Sequence, residues 1–231
     1  MIYKFFTLIL ISQFFTMSGK ANINPELQAL VTELINEEHL ISAERKESLD
    51  ELAENVNLNI REFGHASLNF ICTHNSRRSQ LSELWFRTGA GHFGLEHIST
   101  FSGGTESTAF NHRMVAAIER AGFSVEKVSD GENPKYIIRT NPQERNYALM
   151  FSKKYNESYN PQKNYIAVMV CSQADEGCPV VFGASARVAI PYEDPKNYDD
   201  SPEESEAYDA KIKEIGREML YVLKRIKNEN R

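Results

Sequence analysis

The stretch FICTHNSRRSQLSELW, Phe70 to Trp85, brings a cysteine, an arginine and a serine close together as Cys72, Arg78 and Ser79. Each residue type suggests part of one reaction. A thiolate is the nucleophilic form of cysteine, and a positive field favours it. A guanidinium offers a planar, bidentate pair of donors to an oxyanion. A hydroxyl beside the sulfur can hydrogen-bond it, first as thiolate and later as leaving group. The apolar run before Cys72 reads as a strand, and the pattern after Arg78 reads as a helix. A loop in that setting aims backbone N–H groups and a helix N-terminus at one point, which suits an anion. Cys72, Arg78 and Ser79 then describe attack on a tetrahedral oxyanion cradled by Thr73, His74, Asn75, Ser76, Arg77 and Arg78. C-x5-R spacing alone recurs by chance, and a single cysteine is most often a small buried hydrophobe. The strand before, the helix after, and Asn75 and Ser76 inside the loop sharpen the reading.

The elements that position this loop follow from periodicity. SLNFI is a short strand ending at Cys72, and Leu81, Leu84, Trp85 and Thr88 make one helical stripe closed by glycines. HISTFSGG reads as a second strand with a glycine turn, and Asn111 to Ala121 as an amphipathic helix ended by Gly122. Strand, helix, strand, helix implies crossover connections and a parallel sheet, hence an α/β class. YIIRT and YALMF look like two strands around NPQERN, followed by a polar, tyrosine-rich loop to residue 164. YIAVMV is a buried strand ending at Cys171, and VAI a further short strand. Ser201-Pro202-Glu203-Glu204 reads as a capping box that opens a last helix, with Tyr208, Ile212, Ile215, Met219, Val222 and Ile226 on one face. Ahead of all this, residues 22–63 read as two helices, with start signals at Asn24-Pro25 and Ser42. That helical extension carries no evident chemistry, and it is expected to pack on the main domain, residues 64–231, or on a partner.

Composition limits the function. With 41% hydrophobic and 25% charged residues the chain is globular rather than disordered. A net charge of −6 excludes a broad phosphate-reading basic face, so no nucleic-acid partner is expected and any anion site must be local. The three cysteines, Cys72, Cys171 and Cys178, are too few and odd in number for a disulfide framework and fit free or redox-active thiols. Residues 1–21 combine Lys4, an apolar run and small Gly19 and Ala21, which resembles a secretory signal. The alternative is that Met17 is the true start and the residues before it are a misread. The run is short for a stable membrane span, and no other segment offers one.

CTHNSRRS resembles the phosphate-binding loop of the low-molecular-weight protein tyrosine phosphatase superfamily, whose usual form is C-T-G-N-S-C-R-S. SGGTESTAFNHRMVAAIERAGF is similar to the segment after that family's second strand, and the resemblance runs over about residues 68–227, with a longer 130–163 segment. It implies a small, mostly parallel four-stranded sheet flanked by helices. It also implies one of two chemistries. Phosphatases take a phosphoryl group on the loop cysteine and hydrolyse it. Thioredoxin-coupled arsenate reductases bind arsenate in the same loop and use two further thiols. VCSQADEGCP, with Cys171, Asp175, Cys178 and Pro179, resembles the reductases' redox segment. By that resemblance Cys171 attacks the Cys72 adduct and Cys178 resolves the disulfide, with reduced thioredoxin as electron donor and no bound cofactor. Asp194-Pro195 matches the family's Asp-Pro, which implies that Asp194 is the general acid.

Several positions depart from the family. Phosphatases follow Asp-Pro with two aromatics that grip phosphotyrosine, whereas Lys196 and Asn197 follow here and Tyr198 is the nearest aromatic. That tilts the reading toward arsenate reductase, with a phosphatase acting on phosphotyrosine protein or a small phosphoester as the alternative. A non-catalytic oxyanion-binding module is a third. His74 replaces the loop glycine, so a histidine must fit a backbone conformation it disfavours or add a donor over the anion. Arg77 replaces the loop's second cysteine. Asn75, Glu83 and Ser102 occupy positions that resemble a potassium site of some reductases. The thioredoxin cycle implies a reducing, cytoplasmic location, whereas a genuine signal at 1–21 implies export.

Overall fold

The computed structural model describes residues 22–177 and 180–229. The signal-like segment 1–21, and Cys178 with Pro179, lie outside the described residues. Helix α1, Pro25–Asn36, begins where Asn24 accepts from the Leu27 N–H and Pro25 fills a position needing no donor. Helix α2, Ala43–Phe63, is capped by Ser42 through the Arg45 N–H and stopped by left-handed Gly64. Strand β1, Ala66–Cys72, leads to α3, Arg78–Phe93, then β2, Ile98–Gly104, and α4, His112–Arg120. Three short strands follow: β3, Ser124–Lys127, β4, Tyr136–Arg139, and β5, Ala148–Met150. Then come β6, Tyr165–Met169, a short α5, Ser172–Gly177, β7, Ala184–Ala189, and the long α6, Glu204–Glu229.

Four strands form a wholly parallel sheet in the order β2-β1-β6-β7. This is the α/β sheet expected, with helices packed on it. The central β1 and β6 are buried along almost their full length, as parallel strands covered by helices must be. Their carboxyl ends carry Cys72 and lead to Cys171, at the edge where open parallel sheets place ligands.

Several local expectations change. β3, β4 and β5 form a separate antiparallel sheet, and β3 escapes sequence reading because SVEK has no apolar alternation. Pairing of Val125 with Ile138 creates that strand, not propensity. β7 starts at Ala184, before the VAI run, because β6 supplies its register to weak strand formers. Helix α3 runs through Gly89 and Gly91 and stops at left-handed Gly94. The capping box at 201–204 does not form: Ser201 Oγ has no hydrogen-bond partner among the described residues. Instead the Glu204 carboxylate accepts from the Asp200 N–H at 2.7 Å and from Arg113 Nε at 2.7 Å. These two contacts, the backbone N–H first, hold Glu204 below the usual carboxylate range.

Helix α6 is the hub, packing on α1, α2, α3 and α4. Leu27, Val31 and Leu34 of α1 and Leu49, Leu52 and Val56 of α2 are fully buried in the same apolar cluster as Trp85, Ile215 and Leu220. The extension is therefore one face of the core. A Leu34→Ala variant is expected to lose about 2–4 kcal/mol in one cooperative urea transition of the full chain. An earlier, separate unfolding of the extension would contradict this shared core.

Candidate active site

Cys72 ends β1 with its sulfur buried. Beyond it the chain must reverse tightly to start α3 at Arg78, and Asn75 makes the reversal with φ of 47°. Asparagine tolerates this left-handed conformation better than most side chains. The expected strain at His74 is absent, because φ there is not positive and the unusual angle falls one residue later. The His74 imidazole is half-exposed and lies 3.6 Å from the Glu106 carboxylate.

The Asn75 side chain is fully buried and makes four hydrogen bonds. Its Nδ2 donates to Ser79 Oγ at 2.8 Å and Ser102 Oγ at 2.9 Å. Its Oδ1 accepts from the Lys153 N–H at 2.9 Å and from Gln80 Nε2 at 3.3 Å. The Asn75 N–H points at the Cys72 sulfur, 3.2 Å away, and Ser79 Oγ lies 3.1 Å from the same sulfur. Since the Ser79 oxygen already accepts from Asn75, its own hydrogen is left to turn toward the sulfur. Two donors therefore converge on Cys72 Sγ. Outer loop groups are tied down as well. The Glu106 N–H donates to Thr73 O at 2.8 Å, Ser152 Oγ donates to His74 O at 2.8 Å, and the Asn111 N–H donates to Ser76 O at 3.0 Å. Gly104 is required here: a Cβ would sit 2.7 Å from Thr73 O and 2.8 Å from Asn75 N.

Arg78 is buried at the start of α3. Its Nη1 donates to Tyr192 O and its Nη2 to Asp194 Oδ2, both at 2.9 Å. Its Nε is buried and has no partner among the described residues. Arg77 lies mostly buried rather than projecting into solvent. Its Nε donates to Tyr208 OH at 2.8 Å and its Nη2 to Asp199 Oδ2 at 3.1 Å, and Asp194 Oδ1 is 3.8 Å from Nε. Asp194 caps a 3-10 turn through the Lys196 N–H, which fixes its carboxylate against both arginines.

Cys171 follows β6, the strand beside β1, and is fully buried. Its sulfur lies 3.6 Å from Thr73 Oγ1 and accepts from the Ala174 N–H at 3.4 Å. The second thiol thus lies against the first residue of the oxyanion loop. Asp175 pairs with Arg187 at 2.6 Å, holding α5 to β7. Cys178 lies outside the described residues. Of the potassium-site positions, Asn75 and Ser102 are joined directly by a hydrogen bond, Nδ2 to Oγ at 2.9 Å. The Lys153 N–H fixes the Asn75 oxygen away from Ser102, so Asn75 offers that serine a donor. Glu83 is buried with Oε2 unpartnered, and no group of three or more His, Cys, Asp or Glu side chains able to hold a metal occurs among the described residues.

Residues 67–231 match the sequence model described as low molecular weight phosphotyrosine protein phosphatase, and the chain belongs to that family. Among curated relatives, an arsenate reductase 2 of Staphylococcus saprophyticus is 27% identical over 112 residues, 48% of this chain and 65% of that protein. The chain therefore spans just under two thirds, 65%, of that relative's length. An arsenate reductase of Halalkalibacterium halodurans is 26% identical over 150 residues, 64% of this chain and 88% of that protein. Similar solved structures include a low molecular weight phosphotyrosine phosphatase from Vibrio cholerae O395, with TM-score 0.47 and 14% identity over 71% of this chain and 98% of that one. An arsenate reductase in the phosphate binding state has TM-score 0.45 and 18% identity over 70% of this chain and 98% of that one.

Sequence reading missed Gln80, Ser152, Lys153, Tyr192, Asp199 and Tyr208, which brace the loop and its arginines. Tyr208 had a signal, its place on the apolar stripe of α6, but that signal spoke for core and not for its hydroxyl. An Asn75→Ala variant is expected to lose about 2–4 kcal/mol by urea unfolding, because it strains φ and strips four partners of a fully satisfied amide. Asn75→Gly should recover only the part due to φ.

Proposed function

We propose that this chain is an arsenate reductase using a three-thiol disulfide cascade. Arsenate sits against the loop 73–78, where Arg78 contributes donors to its oxygens and the unpartnered Nε is one still free to take an acceptor. The Cys72 thiolate attacks arsenic and forms an S–As bond. Asp194 gives a proton to the departing oxygen, which leaves as water. Cys171 then attacks the Cys72 sulfur: an S–S bond forms, the S–As bond breaks, and the electron pair stays on arsenic, released as arsenite. Cys178 attacks Cys171 and frees Cys72. The Cys171–Cys178 disulfide is reduced by the dithiol of thioredoxin, which becomes a disulfide in turn. This cycle belongs in a reducing compartment, and we assign the protein to the cytoplasm on that ground.

The observation that carries the reading is the position of Cys171, 3.6 Å from Thr73 of the oxyanion loop. Hydrolysis of a phosphoester has no use for a second thiol there. The described similarity to arsenate reductases at 26–27% identity points the same way. The second reading is a phosphatase, supported by the family description and by a site needing only Cys72, Arg78, Ser79 and Asp194. Tyr198, 48% exposed beside Asp194, offers that reading one aromatic surface.

Purified full-length protein with thioredoxin, thioredoxin reductase and NADPH should show sustained, arsenate-dependent NADPH oxidation. Cys72→Ser should lower it by about a thousandfold or more. Cys171→Ser should do the same, and Cys178→Ser should stop after one turnover. Undiminished cycling in Cys178→Ser would sink the cascade. Aryl phosphate hydrolysis that persists in a Cys171→Ser, Cys178→Ser double variant, with no arsenate-dependent oxidation, would establish the phosphatase.

A further inference from the structure

The residues that hold Arg78 are themselves held from outside the family-matched segment. Both terminal nitrogens of Arg78 bond to one short segment, Nη1 to Tyr192 O and Nη2 to Asp194 Oδ2. That segment is a connection between β7 and α6, and a connection needs an anchor to hold an arginine in one pose. Tyr192 is the anchor: it is 5% exposed, and its N–H donates to Val170 O at 3.2 Å. The Tyr192 hydroxyl donates to Glu218 Oε2 at 2.6 Å. Burial, together with the Glu218 charge, holds this phenol well above its ordinary value, so it stays a donor.

Glu218 is a carboxylate 6% exposed on α6, and an unpaired charge at that depth is costly. Its counter-ion comes from the extension. Arg45 on α2 reaches Glu218 by a fork, Nε to Oε1 at 3.1 Å and Nη2 to Oε2 at 2.9 Å. The same guanidinium stacks on the Tyr192 ring, Cζ 4.7 Å from its centroid. The carboxylate and the ring are thus both fixed by one side chain that precedes residue 67, where the family match begins.

We infer that Arg45 is a positioning residue for the oxyanion site: through Glu218 and Tyr192 it sets the segment that orients Arg78 and Asp194. The N-terminal extension is then a working part of the site rather than an appendage. This rests on the reading that Arg78 binds the oxyanion. Other ion pairs between the extension and α6, such as Arg217 with Glu37 at 2.8 Å, make no such connection and serve as controls.

The test uses the full chain with inorganic phosphate as probe, by calorimetric titration, alongside kcat and KM for arsenate or an aryl phosphate. Arg45→Met should weaken phosphate about tenfold and lower kcat by at least the factor by which KM rises, since misplacing a binding group by a fraction of an ångström is enough. Arg217→Met should change both by less than about twofold. Arg45→Lys, which keeps the charge but not the fork, should recover only part of the loss. Wild-type phosphate affinity and turnover in Arg45→Met, or equal losses in Arg45→Met and Arg217→Met, would overturn the inference. If Arg45→Met fails to fold, Tyr192→Phe replaces it, removing only the hydroxyl link; it should weaken phosphate about threefold, and unchanged affinity would count against us. A wild-type chain that binds no phosphate would overturn the oxyanion reading and this inference with it, an outcome separate from a wild type that binds and an Arg45 variant that binds equally.

Discussion

Asn75 sits in a left-handed conformation with its amide making four hydrogen bonds, and the loop's shape depends on that one residue. An eclipsing side chain would resist the φ, and a glycine would accept it without filling the space beneath the loop. Asparagine does both. Its amide reaches β2 through Ser102, α3 through Ser79 and Gln80, and the segment after β5 through Lys153. Three separate pieces of chain are thereby held around the loop that follows Cys72. The fixed direction of its N–H groups also decides where the Ser79 hydrogen points, and so what the sulfur meets.

Charge is organised on the same scale. The chain is acidic overall, with net charge −6, so a local positive site has to be built from arginines that are themselves restrained. Arg78 is held by Asp194, Arg77 by Asp199 and Tyr208, and Arg113 by Asp200 and Glu204. These pairs leave the guanidiniums oriented rather than mobile, and an oriented fork loses less freedom on meeting an anion. Helix α6 and the connection before it provide most of the acceptors. The same helix buries the extension, so packing and electrostatics share one element.

Topology brings the two described thiols to the same edge of the sheet. β1 and β6 are parallel neighbours, and their carboxyl ends lie side by side, although Cys72 and Cys171 are far apart in sequence. Cys171 is fully buried just past the end of β6. Its sulfur accepts from the first turn of α5 and lies against Thr73, so this buried thiol is in polar contact with the loop that follows Cys72.

By itself the sequence determined the α/β class, the strand-loop-helix around Cys72 and the amphipathic helices, whereas the Asp194-Pro195 match came only through the family resemblance. The class, the strand-loop-helix and the helices are written in local spacing: an apolar run, a capping side chain, a stripe at helical period. Tertiary structure alone decided what those local signals leave open. It placed the left-handed angle on Asn75 rather than His74, made a strand of SVEK by pairing it, and replaced the Ser201 cap with an Asp200–Glu204–Arg113 contact. It also joined Arg45 to Glu218 and to Tyr192, each more than a hundred positions away from it. The physical reason is common to all of them. Hydrogen-bond satisfaction and charge pairing of buried groups are settled by whichever partner the packed chain brings within reach, and spacing along the chain does not encode that partner.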